Sequence, residues 1–234
     1  MNRLSQLVRG RTRRLWARAV MQLAMRDSPF WRLARTPTRR IFDGLAPRWD
    51  TMVAGEESVW FQALDGALDH LPANWKPARI LEIGAGTGRG TFHLAAHFPS
   101  AITIGLDLSP AMLHRGQERA ANEQLPAVNF VAGDGAALPI TTKSVDLAVL
   151  LNAPPFFDEI ARVVRPGGAI VLAFSHGPRQ PMYVDGQTAA RHLRRHGFGN
   201  IIAGWAGEGT FVIGRRAPAS GNRSGITPGD GNHS

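Results

Sequence analysis

The chain has no cysteine, a single tyrosine (Tyr183) and only two lysines (Lys76 and Lys143) among its 234 residues. Without thiols there can be no disulfide, no thiolate metal centre and no cysteine nucleophile, a composition that suits a reducing compartment. No uninterrupted apolar run approaches the roughly 20 residues that a spanning helix needs. A helical membrane protein is thereby excluded, and 44% hydrophobic residues predict one sizeable soluble core. The length accommodates one α/β domain with an appendage, not two domains of ordinary size. Acidic residues are scarce where basic ones are dense. Residues 1–48 hold twelve arginines against Asp27 and Asp43, whereas the remainder carries 15 cationic and 16 acidic side chains. The basic character belongs to the N-terminal segment, so a cationic surface over the whole domain is not supported.

Within that segment Leu4, Leu7, Val8, Leu15, Trp16, Ala19, Val20, Leu23 and Ala24 recur at three- and four-residue steps between arginines. The spacing predicts an amphipathic helix, broken at Ser28-Pro29. A second stretch, Trp31 to Trp49, mixes arginines with apolar residues, and Val59 to Leu71 reads as a further helix. From Ala78 onward, short apolar runs alternate with helical stretches: Ala78 to Ile83, Ala101 to Asp107, Val128 to Ala132, Val145 to Leu151 and Ala169 to Phe174. Such alternation predicts an α/β fold with a parallel sheet covered on both faces. A helix over Thr188 to His196 and a closing pair of strands, Ile201 to Trp205 and Thr210 to Ile213, complete it. The expected division is a basic helical extension or lid over 1–50, an α/β domain over 51–217, and a disordered Gly-, Ser- and Asn-rich tail over 218–234.

The chemistry sits in Ile80-Leu81-Glu82-Ile83-Gly84-Ala85-Gly86-Thr87-Gly88-Arg89-Gly90, a strand running into a glycine turn that opens a helix. Glycines allow close backbone approach, and the free N–H groups of the helix start face a ligand. A dinucleotide fingerprint requires glycine at its first, third and sixth positions; counted from Gly84, the sixth is Arg89. Glu82 would repel a pyrophosphate but suits a ligand with an ammonium group. Two more acids follow. Asp107 ends the second strand, the usual position for an acceptor of ribose hydroxyls, and Asp134 lies just beyond the third, within reach of an adenine amino group.

Glu82-Ile83-Gly84-Ala85-Gly86-Thr87-Gly88 resembles the first motif of class I S-adenosylmethionine-dependent methyltransferases, with Asp107 and Gly133-Asp134 as the acids of the next two strands. Phe42-Asp43 through Trp49-Asp50 and Ile160 through Gly168 resemble segments of the small-molecule branch typified by the quinone-biosynthesis (type 11) methyltransferases. The resemblance implies a Rossmann-like seven-stranded, mostly parallel sheet with helices on both faces and an antiparallel last strand, carrying S-adenosylmethionine as cofactor. It transfers cofactor roles to Glu82, Gly84, Gly86, Gly88, Asp107 and Asp134, and the neighbouring Ala85, Leu108, Gly135 and Asn152 complete the expected cofactor site.

On the acceptor side, Trp49, Phe156 and Tyr183 are the expected pocket residues, with His176 as a candidate base. The connection after the fourth strand is shorter than is usual in the family. Its Asn152-Ala153-Pro154-Pro155-Phe156 is similar to an Asn-Pro-Pro-aromatic motif of amino-group methyltransferases, but Ala153 breaks the spacing. His93, His97 and His114 lack partners at metal-ligand spacing, so no metal is assigned.

The expected activity is methyl transfer to a small-molecule or lipid-like acceptor, in the cytoplasm. The arginine-rich helix is read as a lid, or as a contact to an anionic membrane surface. No cationic cluster follows Leu151, which argues against a nucleic-acid substrate. A nicotinamide-dependent oxidoreductase is disfavoured by Arg89 and Glu82. A non-catalytic binding module on the same fold is opposed by the intact acids and glycines.

Overall fold

The computed structural model describes residues 3–54, 57–123 and 127–218; the expected tail lies, apart from Pro218, outside the described residues. Seven strands form one sheet: β1 (Arg79–Ile83), β2 (Ile102–Asp107), β3 (Asn129–Ala132), β4 (Val145–Leu151), β5 (Val164–Phe174), β6 (Phe198–Ala206) and β7 (Gly209–Arg216). Their order is β3-β2-β1-β4-β5-β7-β6. All pairings are parallel except those of β7, which runs antiparallel to both β5 and β6. The order reverses between β1 and β4, and a crevice opens there at the carboxyl ends of the strands.

Alternation along the central strands distributes their side chains to two layers. Leu81, Ile83, Ala148, Leu150, Ile170 and Leu172 enter one buried cluster; Ile80, Leu147, Val149, Val171 and Ala173 enter the other. Both faces are covered, which is why β4 is buried along its whole length and reads as a continuous apolar run. Its one charge, Asp146, accepts hydrogen bonds from the N–H groups of Ala78 (3.0 Å) and Arg79 (2.7 Å) and pairs with Arg165, so it anchors the entry to β1.

Helices α1 (Arg3–Met25) and α2 (Trp31–Leu45) form a hairpin at the start of the chain. Asp27, in the left-handed region (φ 44°), ends α1, and the Ser28 N–H reaches back to the Leu23 carbonyl at 2.9 Å. This is a Schellman-type stop with aspartate where glycine is usual. The hairpin is no loose appendage: Met21 and Met25 are members of the same buried cluster as Leu81, Leu106 and Phe157.

After α2 come the short helices α3 (Trp49–Val53), α4 (Glu57–Trp60) and α5 (Gln62–Leu68). The single helix expected over Val59 to Leu71 is thus two pieces interrupted at Phe61, which stacks on His93 with ring centroids 4.1 Å apart. The crossovers are α6 (Arg89–His97), α7 (Pro110–Glu123), α8 (Phe157–Val163) and α9 (Gly186–Arg195). Strand β5 begins five residues before the expected Ala169: Val145 pairs with Val164, and a register shift then carries the chain through Gly167 and Gly168.

Candidate active site

The glycine turn lies at the reversal of strand order. Gly84 (φ 80°) and Gly88 (φ 78°) occupy the left-handed region. A Cβ on Gly84 would come within 2.5 Å of the Ala153 Cβ, so glycine is required there by both backbone and space. Gly88 is the residue before α6 and packs on Phe130, outside the cavity wall, whereas Gly84, Ala85 and Gly86 line a cavity of about 190 Å³.

Glu82, only 2% exposed, borders this cavity from the end of β1. It accepts a hydrogen bond from the Thr91 hydroxyl in the first turn of α6. Burial, reinforced by the nearby charge of Asp107, pushes its carboxyl up to about 8, against the pull of that hydrogen bond. The native carboxyl therefore keeps a proton that the unfolded chain loses near pH 4.5. The stability this confers is complete below pH 4.5 and is lost as pH rises through about 8. A cation placed beside Glu82 would reverse the balance and favour its ionised form.

Asp107, at the end of β2, also lines the cavity. Its Oδ2 accepts from the Gly86 N–H and its Oδ1 from the Ser109 N–H, each at 2.8 Å. Burial raises this carboxyl while those N–H groups lower it. One lone pair on each oxygen is left for a ligand hydroxyl. Leu108, Gly133 and Gly135 continue the wall. Asp134 differs from expectation: it lies beside the wall, and its Oδ1 already accepts from the Trp31 indole N–H (2.8 Å) and the Ala136 N–H (2.9 Å). Arg35 stands 3.8 Å from its other oxygen.

The remaining wall is largely apolar. Asn152 takes a left-handed conformation (φ 58°) after β4 and exchanges hydrogen bonds with Ser175, its Nδ2 donating to the hydroxyl and its Oδ1 accepting from the N–H, both at 2.9 Å. This clamp turns Ala153, Pro154 and Phe156 into the cavity with Trp49. Like Gly88 and Asp134, His176 and Tyr183 do not line the cavity. His176 lies outside the wall, its Nδ1 3.9 Å from Glu208, because the chain turns away after β5 into a short 3-10 segment. Tyr183 packs edge-on against Phe174 in the core. Their places in the wall are taken by Gln180, Pro181 and Met182.

The hairpin contributes what sequence reasoning missed. Val20, Trp31, Thr38 and Phe42 line the same cavity, as does Trp60. Asp43 accepts from the Ser109 hydroxyl at 2.6 Å, and Asp50 accepts from the Thr87 hydroxyl at 2.8 Å. Each of the three loops that carry the expected cofactor acids is thus held from the N-terminal side. The usable signal was the placement of Trp31, Phe42 and Trp49 in a stretch dense in arginine, since large aromatics there need something to cover.

Although the sequence suggested no metal ligands, Asp27, Asp158 and His196 converge away from the cavity, with one ligand atom of each within 4.8 Å of the others. Spacings of 131 and 38 residues hide such a group from sequence inspection. His196 Nε2 lies 3.1 Å from the Asp158 Oδ1, and burial together with Asp158 raises Asp27 to about 6. These contacts join the α1–α2 turn to α8 and α9.

Residues 80–168 match the family described as "Methyltransferase domain". The chain is 35% identical over 149 residues to a ubiquinone/menaquinone biosynthesis C-methyltransferase of Methylobacterium nodulans, a match covering 58% of each protein. It is 30% identical over 187 residues to a malonyl-[acyl-carrier protein] O-methyltransferase of Dechloromonas aromatica, covering 77% of this chain and 62% of that one. The chain therefore spans about three-fifths of the length of these curated relatives. In fold it is similar to a SAM-dependent methyltransferase from Aquifex aeolicus, with a TM-score of 0.59 at 15% identity over 70% of this chain and 95% of the other. With the glycine turn and its acids at the strand-order reversal, residues 80–168 are thus similar to a methyltransferase domain, and the sheet has the fold of a solved SAM-dependent methyltransferase.

Proposed function

We propose that the chain transfers the methyl group of S-adenosylmethionine to an apolar small-molecule or lipid-like acceptor bound between Trp49, Trp60, Phe156 and Met182. The observation that carries this reading is a single cavity with two chemically distinct sets of lining residues. Glu82, Asp107 and the glycine turn form one set, and aromatic and aliphatic side chains form most of the other. The first set fits the cofactor: Glu82 awaits a cation, Asp107 retains acceptor capacity, and a Cβ on Gly86 would meet nothing nearer than the Trp49 Nε1 at 3.9 Å. When bound, the cofactor supplies an already activated methyl group. The protein's task is then to hold an acceptor atom in line with it and to exclude water, a proximity effect.

The titratable residues among the described lining are Glu82, Arg89 and Asp107. With no histidine in that wall, the geometry favours an acceptor atom that is nucleophilic without a strong base, such as a carbon of an electron-rich ring. The relatives named for quinone biosynthesis support the same class of acceptor. Incubation of the chain with methyl-labelled cofactor and separate lipid and polar-metabolite extracts tests this. Label should enter the organic phase, and Trp60→Ala should lower turnover with cofactor affinity within about threefold. Label confined to polar products, or full turnover in Trp60→Ala, would contradict it.

A further inference from the structure

The side of the hairpin that faces away from the cavity carries a pattern that methyl transfer does not use. On α2 the buried residues Trp31, Ala34, Thr38 and Leu45 define the inner stripe. Phe30, Leu33, Pro37 and Arg40 follow one another at helical spacing on the outside, all exposed. Phe30 is 66% and Leu33 75% exposed, among the most open large apolar side chains described. Trp16 donates its indole N–H to Thr38 and so pins α1 alongside, where Leu15 is also 65% exposed. The hairpin and the turn that follows also expose eight arginines between Arg14 and Arg48. Arg35 and Arg39 face acids, and only loosely, at 3.8 and 3.9 Å.

We propose that this outer face of the hairpin docks on an anionic lipid bilayer. Isolated apolar side chains are ordinary on a protein surface. Exposed apolar side chains interspersed with exposed arginines along one hairpin match a bilayer interface, where the cations meet anionic headgroups and the apolar groups enter the acyl boundary. Leu15 and Leu33 offer no aromatic face for stacking on bases, so the pattern fits a bilayer better than a polynucleotide. The same hairpin lines the cavity with Val20, Trp31 and Phe42. Docking through its outer face therefore leaves the hairpin between the bilayer and the cavity. No described helix is long and apolar enough to cross a membrane, so the contact is at the surface.

The inference goes beyond the proposed methyl transfer and is read without it. The full chain is sedimented with vesicles of phosphatidylcholine alone or mixed with phosphatidylglycerol, at low and high salt. Binding to the anionic vesicles should be about tenfold tighter or more, and should fall as salt shortens the screening length. The pair Phe30→Ser and Leu33→Ser should weaken it about tenfold, as should Arg32→Glu with Arg40→Glu, with melting temperature and cofactor affinity unchanged. Binding to neither vesicle, or equally to both, overturns the proposal. So does salt-sensitive binding that Phe30→Ser with Leu33→Ser leaves intact and an RNA oligonucleotide competes away.

Discussion

A chain lacking residues 1–26 is expected not to fold. The deletion removes Val20, Met21, Ala24 and Met25, all buried, and two of them belong to the main cluster on one face of the sheet. Emptying the space of one buried methionine costs about 2–5 kcal/mol. Native domains are stable by only about 5–15 kcal/mol in total, so losing the whole packed half of α1 consumes most of that margin. Thermal melting followed by circular dichroism should show no cooperative transition. The milder Met21→Ala should fold but lose about 2–4 kcal/mol in denaturant titration. A truncated chain that melts cooperatively at the full-length temperature would contradict this placement. From sequence, residues 1–50 read only as an extension or lid, because the expected cofactor glycines and acids all lie beyond Ala78.

The second large effect is expected at Asp107. Replacement by alanine removes the acceptors of the Gly86 and Ser109 N–H groups together with those offered to the cofactor ribose. A hydrogen bond to a charged group contributes about 1.5–3 kcal/mol, so cofactor affinity should fall by about 10- to 150-fold. Asp107→Asn keeps one acceptor oxygen and should fall between the two. Binding isotherms of the three proteins, with melting curves to confirm folding, decide it. An alanine variant within about threefold of the parent would remove Asp107 from the site.

The strands and the loop chemistry were legible because both are written in local sequence. Ile80 to Ile83 and Val145 to Leu151 are apolar runs, each broken by a single acid (Glu82, Asp146), that a doubly covered sheet accommodates. Gly84, Gly86 and Gly88 mark a turn that few other residues could make. The position of β7 between β5 and β6 could be expected only through resemblance, since the sheet order rests on pairings between distant segments. His176 and Tyr183 were placed by analogy with strand ends, yet the backbone turns away after Phe174 and sets them beside the cavity rather than in it. Trp31 on Asp134 is a contact across 103 residues, which no periodicity encodes. The same holds for Asp27, Asp158 and His196, and for the extension as a whole. Its arginines dominated the composition, while the few residues that join the core, Met21 and Met25 above all, look unremarkable in a list of apolar positions.

The account's central claim is that this cavity takes a cofactor bearing an amino-acid ammonium group beside Glu82. Isothermal titration calorimetry at pH 7, repeated in buffers of different ionisation enthalpy, tests it most directly. Glu82 starts about nine-tenths protonated if its carboxyl titrates near 8, and an ammonium group beside it favours the ionised form. S-adenosylmethionine and its demethylated product, which share that ammonium, should both bind with release of close to one proton. Glu82→Gln should bind more weakly and release none, and NAD(H) should bind far more weakly than either. Comparable or tighter NAD(H) binding, or S-adenosylmethionine binding with no buffer dependence in the parent protein, would contradict the claim.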